Sequence, residues 1–269
     1  MGKTDSNKGV KQVFRKLKNS PFVKKPFGGI NGDLLRLLAI ISMTIDHTRV
    51  AVDGDMWMKY VGRLAFPVFA FQIAEGFIHT SNLKKYFLRI LIFAIISEIP
   101  FNVFCSSEVF FSQYQNVLVT FALSIVALKL LQMAKKEPAP LKFAGAGLGV
   151  AFIVFLAEVL NVDYGGAGVV IVVAFYLFRD FPFAFFAQFA TVFIVFVFFY
   201  PGRPVLLGFG DSIFRLPVQT FALFSFVPIW LYNGKKGKKS KILQYGFYSF
   251  YPVHIALLCV IRYVLKNVI

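Results

Sequence analysis

The chain has 269 residues, 58% of them hydrophobic and only 16% charged, with a formal net charge of +16; an average soluble domain is about 45–50% apolar and about 25% charged. The 35 Phe residues exclude a disordered chain, the lone pair Cys105 and Cys259 excludes a disulfide scaffold, and the hydrophobic excess is too large for one soluble core. The expected fold class is an all-α, polytopic transmembrane helical bundle with its N-terminus cytoplasmic, because apolar runs long enough to cross a bilayer recur from Asp33 onward.

Residues 1–30 form an expected first domain, a flexible basic cytoplasmic arm carrying Lys3, Lys8, Lys11, Arg15, Lys16, Lys18, Lys24 and Lys25 beside anionic lipid head groups. Pro21, Pro26 and Gly28-Gly29 break this stretch, so no cleaved signal is expected. The second expected domain, 31–269, holds nine candidate spans: 33–52, 57–79, 86–105, 116–133, 142–161, 165–179, 182–200, 215–232 and 245–266. The sixth is short, hence tilted or partly re-entrant. With the arm inside, most of the 29 cations fall in the even-numbered, cytoplasmic connections, which places the C-terminus outside. That pattern assigns the net charge to a membrane surface, and no nucleic-acid partner is expected. There is no internal repeat of the kind that marks many transporters.

A charged side chain at bilayer depth costs about 2.5–3.5 kcal/mol on insertion scales, so each one is a functional candidate. The first span carries Asp46 and His47. A carboxylate beside an imidazole favours base chemistry, yet neighbouring helix residues point about 100° apart, which leaves Arg49 as another partner for Asp46. In the second span Gln72, Glu75 and His79 share one face, Arg63 lies in the outer half, and Pro67 predicts a kink at the Arg63 carbonyl. His79 is either an interfacial side chain or part of a site. The third span places Glu98 and Asn102 on one face around Pro100; Glu98 is either a site residue or a clamp for Arg63 or Arg49. Glu158, Asp163, Tyr164, Gly165 and Gly166 make an outer turn, solvated or functional. In the last span Tyr245, Tyr248, Tyr251 and His254 follow one another at three-residue steps, with Pro252 predicting a second kink.

No Walker loop, nucleophile elbow, His-Glu-x-x-His or cysteine-rich set is present, and three dispersed histidines predict no metal. Acid–base chemistry by histidine and carboxylates remains, with cationic loops able to hold a phosphate-bearing donor.

The string Leu37-Leu38-Ala39-Ile40-Ile41-Ser42-Met43-Thr44-Ile45-Asp46-His47 resembles the opening motif of the TraX family, membrane proteins named for the enzyme that N-acetylates F-pilin. Further blocks resemble it in order: Val61-Gly62-Arg63-Leu64-Ala65-Phe66-Pro67-Val68-Phe69 with Glu75-Gly76, Arg89 through Ser97-Glu98-Ile99-Pro100-Phe101, Asp163-Tyr164-Gly165 with Gly168-Val169, and Tyr248 to His254. The likeness covers residues 31–266 and leaves out the arm.

TraX-like proteins are in turn similar to transmembrane acyltransferases such as the lysosomal heparan glucosaminide acetyltransferase and the sugar O-acetyltransferases. There an intramembrane histidine near an acidic residue carries the reaction and cytosolic acetyl-CoA supplies the group. The resemblance thus implies a multi-pass cell-membrane acetyltransferase, with His47 as reactive base or transient acyl carrier, Asp46 as its partner, and His254 and Tyr251 as helpers. Arg63, Glu75, Glu98, Asn102, Asp163, Tyr164 and Tyr251 are the candidate acceptor-binding residues, and Arg36, Lys84, Lys85 and Arg89 the candidates for holding acetyl-CoA. The acceptor, an amine or hydroxyl of a pilin-like N-terminus, glycan or small molecule, is not fixed by the likeness. Membrane lipid and acyl-CoA are the expected partners. A proton-coupled transporter or lipid flippase, and a noncatalytic scaffold, are the rival readings of the same intramembrane charges.

Overall fold

The structure, a computed structural model, describes residues 28–110, 113–180, 183–209, 212–238 and 240–267. Most of the basic arm therefore lies outside the described residues; its last residues, Gly29 and Ile30, donate their N–H groups to the Leu231 carbonyl at 2.8 and 3.0 Å.

Helix α1 (Gly32–Val52) starts where the Asn31 side chain accepts from the Leu34 N–H at 3.0 Å, and stops at Asp53, whose φ of 51° is left-handed. Helices α2 (Met56–Gly62) and α3 (Ala65–His79) follow almost in line. Pro67 falls in the first turn of α3, where a backbone N–H has no intrahelical partner, so the break sits at Arg63–Leu64 and the proline is tolerated. Helix α4 (Leu83–Ser106) is capped by Asn82 and carries Pro100; α5 (Val117–Lys136) is capped by Asn116; α6 (Pro140–Val159) begins on a proline, which needs no donor there. Helix α7 (Gly165–Leu177) enters through Tyr164 and Gly165, both at positive φ, and α8 (Ala184–Ile194) runs into a π-helical turn at Val195–Phe199.

An antiparallel hairpin, β1 (Pro204–Phe209) and β2 (Ser212–Pro217), comes next, paired from Pro204↔Pro217 to Phe209↔Ser212. A 3₁₀ segment (Val218–Ser225), α9 (Phe226–Trp230) and the long α10 (Lys241–Asn267), which contains Pro252, complete the order.

The fold is a helical membrane bundle, but the expectation of nine spans is not met. Among the described residues five helical stretches are long and apolar enough to cross a bilayer: α2–α3 together, α4, α5, α6 and α10. Helix α1 is long enough, but Asp33, Arg36, Asp46 and Arg49 lower its apolar character. The stretches Gly165–Leu177, Ala184–Phe199 and Val218–Trp230 are apolar but short. At 1.5 Å per residue the 13 residues of α7 reach only about 20 Å of the roughly 30 Å hydrocarbon core. Hydrophobicity does not distinguish a lipid-crossing helix from one buried in protein, and α7 is of the second kind: apolar all round and packed against α3, α5 and α6. The orientation drawn from counting nine spans loses its basis, as does the all-helical expectation for the region entering the eighth span, where the hairpin stands.

The main core joins α3 and α7, with Phe66, Val68, Phe71, Val169, Phe175, Phe196 and Phe226 almost fully buried. A smaller cluster of Met43, Ala65, Phe101, Phe104, Tyr251, Ile255 and Leu258 binds α1, α3, α4 and α10 together. Gly168 allows the close approach at the centre: a Cβ there would stand 2.8 Å from Thr120 and 3.1 Å from the Phe66 ring. Replacing Gly168 by valine is expected to destabilise the bundle by about 1–3 kcal/mol through overpacking, seen as a lower melting temperature in detergent; an unchanged melting temperature would contradict this packing.

Candidate functional site

Adjacent residues on α1 look in different directions. His47 turns toward α10, where its Nδ1 lies 2.8 Å from Nε2 of His254; the rings stack at 5.1 Å between centroids and 10° between planes. Phe104 at 5.5 Å and Tyr251 at 6.5 Å flank His47, while Phe250 stacks on His254 at 4.9 Å. The second nitrogen of His254, Nδ1, is 2.8 Å from the Phe250 carbonyl.

Asp46 turns the other way and binds Arg63, the residue between α2 and α3. This corrects the expectation that Asp46 partners His47, and equally the alternative that it pairs with Arg49. The reason is Gly62: a Cβ there would come within 2.2 Å of the Asp46 Cβ, so only glycine lets α2 approach closely enough for Arg63 to reach the carboxylate. The Ser42 hydroxyl reinforces the contact by donating to the Val61 carbonyl at 2.5 Å. Nε of Arg63 and of Arg49 are buried without a hydrogen-bond partner.

Asp163 and Tyr164 close this side. The Tyr114 hydroxyl donates to Asp163 at 2.7 Å, and the Thr120 hydroxyl donates to the Asp163 carbonyl. Desolvation raises the Asp163 carboxyl above the ordinary range, with the Tyr114 hydrogen bond opposing it; the Tyr114 phenol is also raised, by desolvation and then by the Asp163 charge. The Tyr164 ring stacks on Phe66 at 3.7 Å. Asp46, His47, Arg63, Asp163, Tyr164 and Tyr251 together line a cavity of about 170 Å³.

A second cavity, about 520 Å³, opens among the N-terminal ends of α1, α4 and α10 and the C-terminal end of α3. Its rim is basic: Arg36, Arg89, Lys236, Lys238 and Lys241. Backbone contacts fold the 233–238 loop onto this rim, with the Lys238 N–H donating to Asp33 at 2.7 Å, Gly32 N–H to the Lys235 carbonyl at 2.8 Å, and the Lys236 ammonium to the His79 carbonyl at 2.7 Å. Arg36 lies 4.6 Å over Phe247, and Arg89 lies over Tyr248 with its Nε buried and unpartnered. Met43, Phe69, Val117 and Tyr251 line both cavities, so a thin, largely apolar wall is all that divides them.

The other sequence candidates divide clearly. Gln72, Glu75 and His79 do share a face, and it looks into the large cavity. Gln72 donates to the Gly32 carbonyl at 2.9 Å. Glu75 is held by Arg179 through contacts of 2.5 and 3.3 Å, with His79 a further 3.3 Å away. The Glu75 hydrogen bonds keep the Arg179 guanidinium above its usual pKa. Arg36 and Arg89 line the large cavity, but Lys84 and Lys85 do not: Tyr86 and Arg89 occupy the inner face of α4, which turns the two lysines outward, exposed. Glu98 and Asn102 lie outside both cavities. Glu98 accepts from Asn116 rather than clamping Arg63 or Arg49, which fastens α4 to the start of α5, while Asn102 donates to the Val109 carbonyl at 3.3 Å and ties α4 to the chain just beyond its own end.

Sequence reasoning missed Arg179, one of the loop cations, and did not single out Lys236, Lys238 and Lys241 among the cationic loops expected to hold a phosphate-bearing donor. It also missed Tyr114 and Asn116. The one available signal for Arg179 was its isolation at the end of a long apolar run.

A polytopic helical bundle with a paired-histidine centre, set between a small charged cavity and a larger one with a basic rim, defines a class of membrane protein with its polar chemistry inside. The family model described as "TraX protein" matches residues 31–262, and the chain belongs to the TraX family. It is 30% identical over 256 residues, covering 84% of this chain and 93% of the relative, to a Dichelobacter nodosus protein named "Probable fimbrial assembly protein FimC, serogroup H1". It is also 34% identical over 87 residues, 30% of this chain and 33% of the relative, to an uncharacterized protein of Rickettsia prowazekii (strain Madrid E). No solved structure matches.

Removing Asp46 alone leaves the Arg63 guanidinium buried without its counter-charge. Asp46→Ala is expected to cost about 3–5 kcal/mol, and the double variant Asp46→Ala/Arg63→Ala to recover part of that loss. Thermal unfolding of the three proteins measures it, and a double variant no more stable than Asp46→Ala would show that the pair is not the source of the loss.

Proposed function

We propose that the chain is a cell-membrane acetyltransferase that takes acetyl groups from acetyl-CoA and passes them to an amine or hydroxyl acceptor. The observation that carries this reading is the meeting of the two cavities across Met43, Phe69, Val117 and Tyr251, with cations at the far rim of one and His47 in the other. The phosphates of CoA suit a rim of Arg and Lys, which make strong charge-assisted hydrogen bonds to such oxygens. The slender, largely apolar arm of the donor suits the cavity interior, and its thioester would then arrive at the dividing wall within reach of His47.

In this reaction His47 removes a proton from the acceptor as the acceptor nitrogen or oxygen forms a bond to the thioester carbonyl carbon. The carbon–sulfur bond breaks, and the departing thiolate takes up the proton held by the imidazole. Arg63, Asp163 and Tyr164 line the acceptor's cavity, while Asp46 serves by fixing Arg63. The proposal sets the lysine-rich rim on the cytoplasmic side, the side on which positively charged loops are retained and from which a cytosolic donor would enter. The fimbrial assembly name of the Dichelobacter relative supports a pilin-type subunit as the acceptor.

His47→Ala is expected to lower transfer of labelled acetyl from acetyl-CoA to envelope protein by about 10²–10⁴-fold, with the melting profile retained. Lys236→Glu with Lys241→Glu is expected to abolish the thermal stabilisation that CoA gives the purified protein. Full transfer by His47→Ala, or solute movement across vesicles with no acyl turnover, would overturn the reading.

A further inference from the structure

We infer that His254 acts through His47, as the positioning residue that sets which ring nitrogen of His47 carries the proton. The inference rests on the reading of His47 as the reacting base.

The chain of contacts runs in one direction only. A backbone carbonyl accepts and never donates, so the 2.8 Å contact of His254 Nδ1 with the Phe250 carbonyl places a hydrogen on His254 Nδ1. A neutral imidazole carries a single N–H, which leaves His254 Nε2 with a lone pair. The contact of 2.8 Å between that nitrogen and His47 Nδ1 then needs the hydrogen on His47 Nδ1. The remaining nitrogen of His47, Nε2, is the unprotonated one, on a ring that lines the small cavity.

A protonated His254 would reverse this assignment, but nothing supports a cation there. His254 is 6% exposed, stacked against Phe250, and set in the apolar cluster of Phe104, Tyr251, Ile255 and Leu258. The carboxylate adjacent in sequence to His47, Asp46, is committed to Arg63. An uncompensated charge in such surroundings is strongly disfavoured. A neutral second imidazole therefore does here what a carboxylate does for many catalytic histidines: it orients the ring and holds the tautomer. When His47 Nε2 takes a proton, the resulting imidazolium keeps its Nδ1–H on the His254 lone pair, and the proton leaves again from Nε2 to the thiolate. No proton needs to pass to His254.

The test reads the tautomer directly. Nitrogen-15 spectra of the full chain in detergent, with ¹⁵N-labelled histidine and the pair of ring signals of each of the three histidines assigned by His47→Ala, His79→Ala and His254→Phe, are expected to show His47 protonated at Nδ1 and bare at Nε2. In His254→Phe the His47 signals are expected to move toward the Nε2–H form that free imidazoles favour. Turnover of acetyl-CoA by His254→Phe is expected to fall by roughly 100-fold in kcat with KM for acetyl-CoA unchanged, and His254→Gln, whose amide oxygen can accept from Nδ1–H, is expected to regain part of it. A wild-type His47 carrying its hydrogen on Nε2 would overturn the inference even if His254→Phe failed to fold. Absence of any acetyl transfer would sink the proposed function and leave the nitrogen spectra as they are, so the two failures are distinguishable.

Discussion

A guanidinium inside an apolar bundle has to find its carboxylate there, and the pairing of Arg63 with Asp46 constrains what surrounds it. The pair commits one face of α1 to the break between α2 and α3, and glycine at position 62 makes that approach possible. Once Asp46 points that way, helical geometry turns the next residue about 100° aside. His47 then meets α10 instead of α3 and finds His254. One ion pair, satisfied on one side of a helix, so determines which partner the neighbouring imidazole receives on the other.

Much of the bundle is readable from the chain, because the apolar runs and their breakers are strong signals. The nine stretches named from hydrophobicity all contain helix. What hydrophobicity does not distinguish is lipid from protein as surroundings. For α7 both give the same composition, and only its packing against α3, α5 and α6 decides. The hairpin at 204–217 was hidden because a strand pair beside apolar helices reads as the ragged edge of a span.

The site divides in the same way. Intramembrane cost singles out Asp46, His47, Arg63, Glu75 and His254 as candidates. Cost says nothing about partners, which depend on helix rotation and on distant chain segments. Asp46 with Arg63, Glu75 with Arg179 and Glu98 with Asn116 join residues 17, 104 and 18 positions apart. The large cavity is the extreme case, since its basic rim combines α1, α4 and a loop some 200 residues further along that is fixed to α1 by contacts from Lys235 and Lys238.

The shortness of α7 has a mechanical meaning. A helix that crosses a bilayer must answer to changes in lipid thickness by tilting or by drawing the lipid in. Helix α7, surrounded on most sides by its neighbours, is exempt from that demand. It stands inside the bundle as a strut, and the Tyr164–Phe66 stack at its head and Arg179 just beyond its foot fix it to α3 at both ends. The outer helices are left to follow the membrane, while α3, α5 and α6 stay packed around a column that lipid hardly touches.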